Sequence, residues 1–392
     1  MKTINQGTIP TMNFSVSVDI KIGAGASKEV GVISKDLGVE KVLCIYDEGI
    51  KSAGISNNIV DSLQNEGIKV STYDKVTPNP PDSIVTNAAE FARKQEIDGI
   101  VAIGGGSSID CAKAVNILLT NPGPIHQYEG KDQVEHEVKP IIAIPTTAGT
   151  GSEVTSVTVV TNSEKSRKMI IAGQGCGATT ALLDPELTVG LPANVTAGTG
   201  MDALTHALEA YISKGASVLT DINALKAIEL ISKNLYESTV NGTNLQARSN
   251  MLIGSLLAGI AFNSAGLGLV HAISHPISSH CGVPHGIANA TLLPHVLAFN
   301  GEDEKVQDRL RDVASIMGIS IVSKGGKETI EHVVEKVSEL CEKVNIPRLR
   351  DVGVETTEFS QIAADALKEK SMTFTPRKAM KEDIVRILES AY

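Results

Sequence analysis

The sequence predicts an α/β N-terminal half built on a parallel sheet, followed by an all-helical C-terminal half. Three observations carry this. Between residues 41 and 145, apolar runs of strand length alternate with segments of helical period, the pattern of parallel βαβ units. After Pro192 no strand pattern appears, and helical periodicity dominates from Val195 to Tyr392. The chain has 392 residues, which favours two units over one. The boundary falls near residue 191, giving units 1–191 and 192–392.

The elements follow in order. Phe14, Val16, Val18, Ile20 and Ile22 alternate with polar residues, which predicts a half-buried strand. Residues 41–47 (KVLCIYD) read as a buried strand, 55–66 as a helix, 68–73 as a strand and 82–94 as a helix. Residues 99–103 (GIVAI) form a strand that ends in Gly104-Gly105-Gly106, and 107–119 form a helix. Residues 140–145 (PIIAIP) are a further strand, and 156–161 with 168–172 a β-ribbon. Met251 to Val270 is apolar, but glycines, serines and Asn263 interrupt it and histidines follow at once. It reads as one buried core helix, not a membrane span.

Composition excludes several classes. The apolar fraction is 42% and the charged fraction 20%, as in a soluble globular protein. A net charge of −10 with no basic run argues against nucleic acid as a partner. Five scattered cysteines without a Cys-x-x-Cys pair argue against a zinc knuckle or a disulfide framework, and point to a reducing cytoplasm. The N-terminus lacks the pattern of a secretion signal, and no membrane association is expected.

Two loops at strand ends suit a phosphate. In Gly104-Gly105-Gly106-Ser107 the glycines admit close approach to the N–H groups of the following helix. Ser107 and Asp110 have capping-box spacing. Residues 145–153 (PTTAGTGSE), with Thr146 and Thr147 at their start, again follow a strand and are dense in hydroxyls and glycines. This is not the Gly-x-Gly-x-x-Gly fingerprint. Asp47, at a strand end, suits either a ribose diol or a plain turn.

Histidine is distributed unevenly. Five of the nine histidines (His271, His275, His280, His285 and His295) fall within residues 271–295, and residues 249–301 contain no Asp, Glu, Lys or Arg. Asp202 and His206 are spaced i, i+4, so they share a helix face, as do His271 and His275. His285 precedes a further helix. One carboxylate with three imidazoles suits Fe²⁺ or Zn²⁺ better than Mg²⁺ or Ca²⁺, and the residue types do not choose between the first two. His275 is either a fourth imidazole or a proton-handling neighbour. His280 and His295 carry no spacing argument and are taken as structural.

Several long motifs occur in order: GGGSSID (104–110), IPTTAGTGSEVT (144–155), GTGMDALTHALEAY (198–211), GLGLVHAISHPISSHCGVPHGIANA (266–290), LRDVGV (349–354) and TPRKAMKEDIVRIL (375–388). With these the chain resembles, nearly end to end, the iron-dependent (group III) alcohol dehydrogenases, which include lactaldehyde reductases and 1,3-propanediol dehydrogenases. The resemblance implies a dehydroquinate synthase-like architecture. In it, 1–191 is an NAD-binding domain and 192–392 a helical metal-binding and substrate domain, with the active site in the cleft between them. It implies that Asp202, His206, His271 and His285 bind iron, and that His275 lies beside the metal and handles a proton. It implies NAD(H) contacts from Asp47, Asn79, Gly105, Gly106, Ser107, Thr146, Thr147, Thr155, Lys168 and Leu187, with Asp47 favouring NAD over NADP. It also implies a homodimer or larger homo-oligomer.

The function expected is hydride transfer between NAD(H) and a small alcohol, diol or aldehyde in a largely apolar pocket. Residues 249–304 hold no Lys or Arg to receive an anionic substrate, and Phe262 and Leu267 are candidate walls. Three rivals share the fold: a glycerol dehydrogenase, a dehydroquinate synthase, which would need Lys and Arg near the metal, and a catalytically silent nucleotide sensor.

Overall fold

The computed structural model describes residues 13–165, 167–320 and 326–392. Residues 1–12, on which the expectation about a secretion signal falls, lie outside the described residues. The strands are β1 (Asp19–Ile22), β2 (Lys41–Asp47), β3 (Lys69–Val76), β4 (Gly99–Gly104), β5 (Gly130–Lys131), β6 (Ile141–Pro145), β7 (Val157–Asn162), β8 (Arg167–Ala172) and β9 (Thr180–Leu183). Six of them form one sheet in the order β1-β9-β6-β4-β2-β3, with every pair parallel. The expected ribbon is the antiparallel pair β7 and β8, joined by β5 into a small second sheet.

The apolar runs of β2, β4 and β6 are continuous because both faces of these inner strands are covered. One face (Val42, Cys44, Val101, Ile103, Ile142, Ile144) packs on α1 (Val30–Asp36) and α3 (Ile55–Asn65), beyond the short α2 (Glu48–Ser52). The other (Leu43, Ile45, Ile100, Ala102, Ala143) packs on α4 (Asp82–Lys94) and α5 (Gly106–Thr120).

After β9 every described element is helical. The α helices are α6 (Ala193–Ile212), α7 (Val218–Val240), α8 (Leu245–Ala265), α9 (Leu269–Cys281), α10 (His285–Asn300), α11 (Glu304–Ile316), α12 (Gly326–Lys343), α13 (Phe359–Ala366) and α14 (Lys381–Ala391). Helix α6 is buried along nearly its whole length, with α7, α8 and α10 packed around it. Leu252 and Leu256 of α8 also reach into the core under the sheet, which seats the helical half on the α/β half.

Three expectations need correction. The N-terminal strand covers only Asp19–Ile22 and is exposed throughout, because among the described residues β1 is an edge strand paired on one side alone. The apolar stretch from Met251 to Val270 is two helices: α8 and α9 meet at a bend of 103°. Gly266 turns the chain there at φ 74°, against the ring of Phe374. Among the described residues no single helix is long and apolar enough to cross a membrane. Finally, α5 begins at Gly106 with Gly105 at its N-cap and no side-chain cap, so the Ser107–Asp110 capping box does not form. Asp110 instead accepts from the Ser152 hydroxyl and from Val159 N–H (3.1 Å).

Candidate metal and nucleotide site

Helix α6 presents Asp202, His206 and Glu209 on one face through their i, i+4, i+7 spacing. His271 enters from the first turn of α9, and His285 is the first residue of α10. One donor atom from each of Asp202, His206, His271 and His285 lies within 4.8 Å of the others. Asp202 Oδ1 is 3.8 Å from His206 Nε2 and 3.9 Å from His285 Nε2. Asp202, His206 and His271 are buried.

The far ring nitrogens set the tautomers. His206 Nδ1 donates to the Gly149 carbonyl (3.1 Å), and His271 Nδ1 meets Glu209 Oε2 at 2.6 Å. Each ring therefore turns an Nε2 lone pair to the centre. Burial also favours the neutral ring at His206, which it lowers to about 4, and at His285, which it lowers well below the ordinary imidazole value. Neutral imidazoles are the form that ligates metal.

Asn289 tests whether a cation fits. Its Nδ2 lies 2.6 Å from Asp202 Oδ1 and 3.1 Å from both His271 Nε2 and His285 Nε2. A primary amide has two hydrogens, so it cannot serve three acceptors at once. Its own Oδ1 is buried without a partner. Lone pairs from a carboxylate and neutral imidazoles, converging in a buried place beyond what one amide satisfies, fit a divalent cation of the Fe²⁺ or Zn²⁺ kind.

His275 stands beside this set, its ring 5.9 Å from His271 and 5.4 Å from His285. It is not among the four converging donors. Its Nδ1 meets Glu369 Oε2 at 3.0 Å, and burial lowers its pKa. His280 pairs at the surface with Asp365, away from the cluster.

One cavity of about 460 Å³ joins the cluster to the loops after β4 and β6. Asn79, Gly106, Ser107, Thr155 and Lys168 line it together with all four converging residues and His275. Gly105, Thr146 and Thr147 sit just outside, at the ends of β4 and β6: Thr146 N–H donates to Gly104 O (3.0 Å), and Thr147 lies over Gly105. Asp47 caps α2 by accepting from Ile50 N–H (2.9 Å), and Leu187 packs on the sheet core. Phe262 and Leu267 do line the cavity, but so do Lys131, Lys168 and Lys370. The cation-free stretch 249–304 is thus only part of the wall, and the lysines come from elements distant in sequence. Burial lowers Lys168, against the pull of Asp202, Asp110 and Glu369.

Sequence reasoning missed Glu209, Asn289, Glu369 and Phe374. Glu209 and Asn289 were recoverable from spacing, three residues after His206 and four after His285. Glu369 and Phe374 follow α13, and only the tertiary fold brings Glu369 to His275 and Phe374 to the cavity.

The fold and site define a class: enzymes in which a nucleotide-type sheet faces a buried cluster of metal-binding character. Comparison with known proteins narrows it. Residues 17–185 match the family described as "Iron-containing alcohol dehydrogenase", and residues 196–392 match "Fe-containing alcohol dehydrogenase family, C-terminal". The chain is 40% identical over 389 residues to 1,3-propanediol dehydrogenase of Klebsiella pneumoniae, covering 98% of each. It is 37% identical over 380 residues to NAD-dependent methanol dehydrogenase of Bacillus methanolicus, covering 97% of this chain and 99% of that one. The crystal structure of a 1,3-propanediol oxidoreductase superposes with a TM-score of 0.95 at 39% identity, covering 98% of this chain and 100% of that one. The chain belongs to the iron-containing alcohol dehydrogenase family. It is an oxidoreductase of the kind that moves a hydride between alcohols and aldehydes. Lys131, Lys168 and Lys370 supply cations of the kind the dehydroquinate synthase rival would need, so it is the family match that decides against that rival.

Proposed function

We propose that this protein interconverts a small primary alcohol or diol and its aldehyde with NAD(H), using a cation held by Asp202, His206, His271 and His285. The observation that carries the proposal is the convergence of those four donor atoms within 4.8 Å, on a cavity shared with the loops after β4 and β6. Iron is the metal the family implies, and zinc suits the same donors.

A cation held by those four residues would supply Lewis-acid polarisation of the substrate oxygen, and a nicotinamide bound at the loops after β4 and β6 would supply the hydride chemistry. The chain's own residues do the rest. Backbone N–H groups at the start of α5, with the hydroxyls of Ser107, Thr146, Thr147 and Thr155, receive the pyrophosphate and ribose. Asp47, Asn79, Gly105, Gly106, Lys168 and Leu187 complete the nucleotide contacts, and Asp47 disfavours a 2′-phosphate. Phe262, Leu267 and Phe374 shield the reacting carbon from water. His275, steadied by Glu369, moves the alcohol proton between cavity and solvent. The boundary near residue 191 separates a nucleotide domain from a metal and substrate domain.

We also assign a homodimer formed through β1. Among the described residues the outer edge of β1 is unpaired; Ile20 and Ile22 on it stand 36% and 41% exposed, and Val16, just before it, 40%. All five cysteines are free, in keeping with a reducing cytoplasm.

NADH formation with a panel of alcohols and diols, with and without Fe²⁺ or Zn²⁺, tests the activity. His271→Ala should lose metal retention and turnover together. Normal turnover by the metal-free variant would overturn the assignment.

A further inference from the structure

Glu209 is a buried carboxylate, 2% exposed, in the middle of the apolar core around α6. Among the described residues no Lys or Arg forms an ion pair with it. Its partners are His271 Nδ1 at 2.6 Å, Gly268 N–H at 3.0 Å and Val270 N–H at 2.6 Å. A carboxylate buried without a cation is costly, so this one needs an electrostatic reason to be there.

The cluster provides it. Of its four donors only Asp202 is a carboxylate; the other three are imidazoles. A divalent cation held by Asp202 and three neutral rings would leave a buried excess of one positive charge. Glu209 is a second carboxylate, one imidazole away, placed to offset that excess. The two backbone N–H groups hold the carboxylate in place and leave it to receive the His271 Nδ1 proton. That fixes the tautomer whose Nε2 lone pair faces the cluster, and it raises the basicity of that nitrogen.

We propose that Glu209 is a positioning and charge-balancing residue of the metal centre, acting on the cation through His271. The inference rests on the metal-dependent reading above. It extends that reading to a residue outside the four donors.

The test is Zn²⁺ affinity, read by competition with a chromophoric chelator, in the wild-type chain and in Glu209→Gln. Gln keeps the size of the side chain and one acceptor for the α9 N–H groups, but loses the charge. The expected result is Zn²⁺ affinity weaker by about 10- to 100-fold. NADH affinity, measured on both metal-free chains, should stay within about twofold, which a collapse of α9 would not permit. Equal Zn²⁺ affinity in the two chains would overturn the inference. If the wild-type chain binds neither Zn²⁺ nor Fe²⁺, the metal-dependent reading itself fails, a different outcome. Should Glu209→Gln fail to fold, ¹⁵N-histidine spectra of the metal-free wild-type chain decide. A proton on His271 Nδ1 supports the role, and one on Nε2 refutes it.

Discussion

His206 and Gly149 are joined by a 3.1 Å hydrogen bond from the imidazole Nδ1 to the backbone carbonyl. A carbonyl only accepts, so this bond places the proton on Nδ1. It also ties α6, with its metal-type donors, to the loop after β6, where the nucleotide is proposed to bind. Gly149 has no room to spare: a Cβ there would lie 2.8 Å from Thr199 Cβ and 2.9 Å from Thr199 O.

The two binding events should therefore be coupled. Zn²⁺ should change NADH affinity by about fivefold or more, and NADH should change Zn²⁺ affinity by the same factor, since linkage is reciprocal. Calorimetry in both orders measures it. Gly149→Ala should push the loop off α6, weaken both ligands and shrink the coupling. Coupling that survives intact in Gly149→Ala would assign it to some other contact.

The sequence made the four donors legible for a local reason: i, i+4 spacing on helices and a charge-free, histidine-rich stretch are short-range signals. The buried strands β2, β4 and β6 were legible for the same reason. β9 was not, because Thr180–Leu183 is four residues long and runs into Asp184-Pro185. The break between α8 and α9 was missed because hydropathy is blind to a single positive-φ glycine. Glu369 and Lys370 were invisible as site residues because nothing local marks a surface turn that folds over a cavity more than ninety residues away in sequence.

His275 and Glu369 give a second prediction. The carboxylate at 3.0 Å holds the His275 Nδ1 proton and turns Nε2 toward the cavity. His275→Ala should retain metal yet lower kcat by about 100-fold. Glu369→Gln should lower kcat by about tenfold with KM little changed, because it disturbs orientation and leaves the ring in place. Metal analysis and steady-state kinetics check both. Loss of metal in His275→Ala would make His275 a ligand.

Glu153 predicts a pH dependence of stability. It lies in the loop after β6, and burial pushes its carboxyl from 4.5 to about 7, against the pull of Lys113. The folded chain thus holds a proton that the unfolded chain has released. The stability this confers is complete below about pH 4.5, fades as pH rises to about 7 and is absent above it, a swing on the order of 3 kcal/mol. Glu153→Gln never carries that charge. Relative to wild type, the variant should gain stability from pH 5 to pH 8 in urea denaturation. Parallel curves for the two chains would contradict the shift.

The β1 edge predicts a change of assembly. Ile22→Asp puts a charge among the exposed apolar side chains of the unpaired edge. Light scattering should report a dimer for wild type and a monomer for the variant, with the circular dichroism unchanged. A wild-type monomer at micromolar concentration would remove the β1 interface.

Gly266 and Phe374 set the shape of the substrate wall. Gly266 has φ 74° and ψ 169°, a backbone region that other residues rarely enter. A Cβ there would stand 2.6 to 2.8 Å from three carbons of the Phe374 ring. Gly266→Ala should thus cost about 2–4 kcal/mol, from backbone strain and from the clash together. Phe374 lines the cavity, so its displacement should also raise KM for short alcohols. The double variant Gly266→Ala/Phe374→Ala separates the two causes. Removing the ring abolishes the clash and leaves the backbone strain, so the double variant should be more stable than the sum of the single losses by about 1–2 kcal/mol. Strict additivity in urea denaturation would place the whole cost in the backbone and leave Phe374 free to move independently of Gly266.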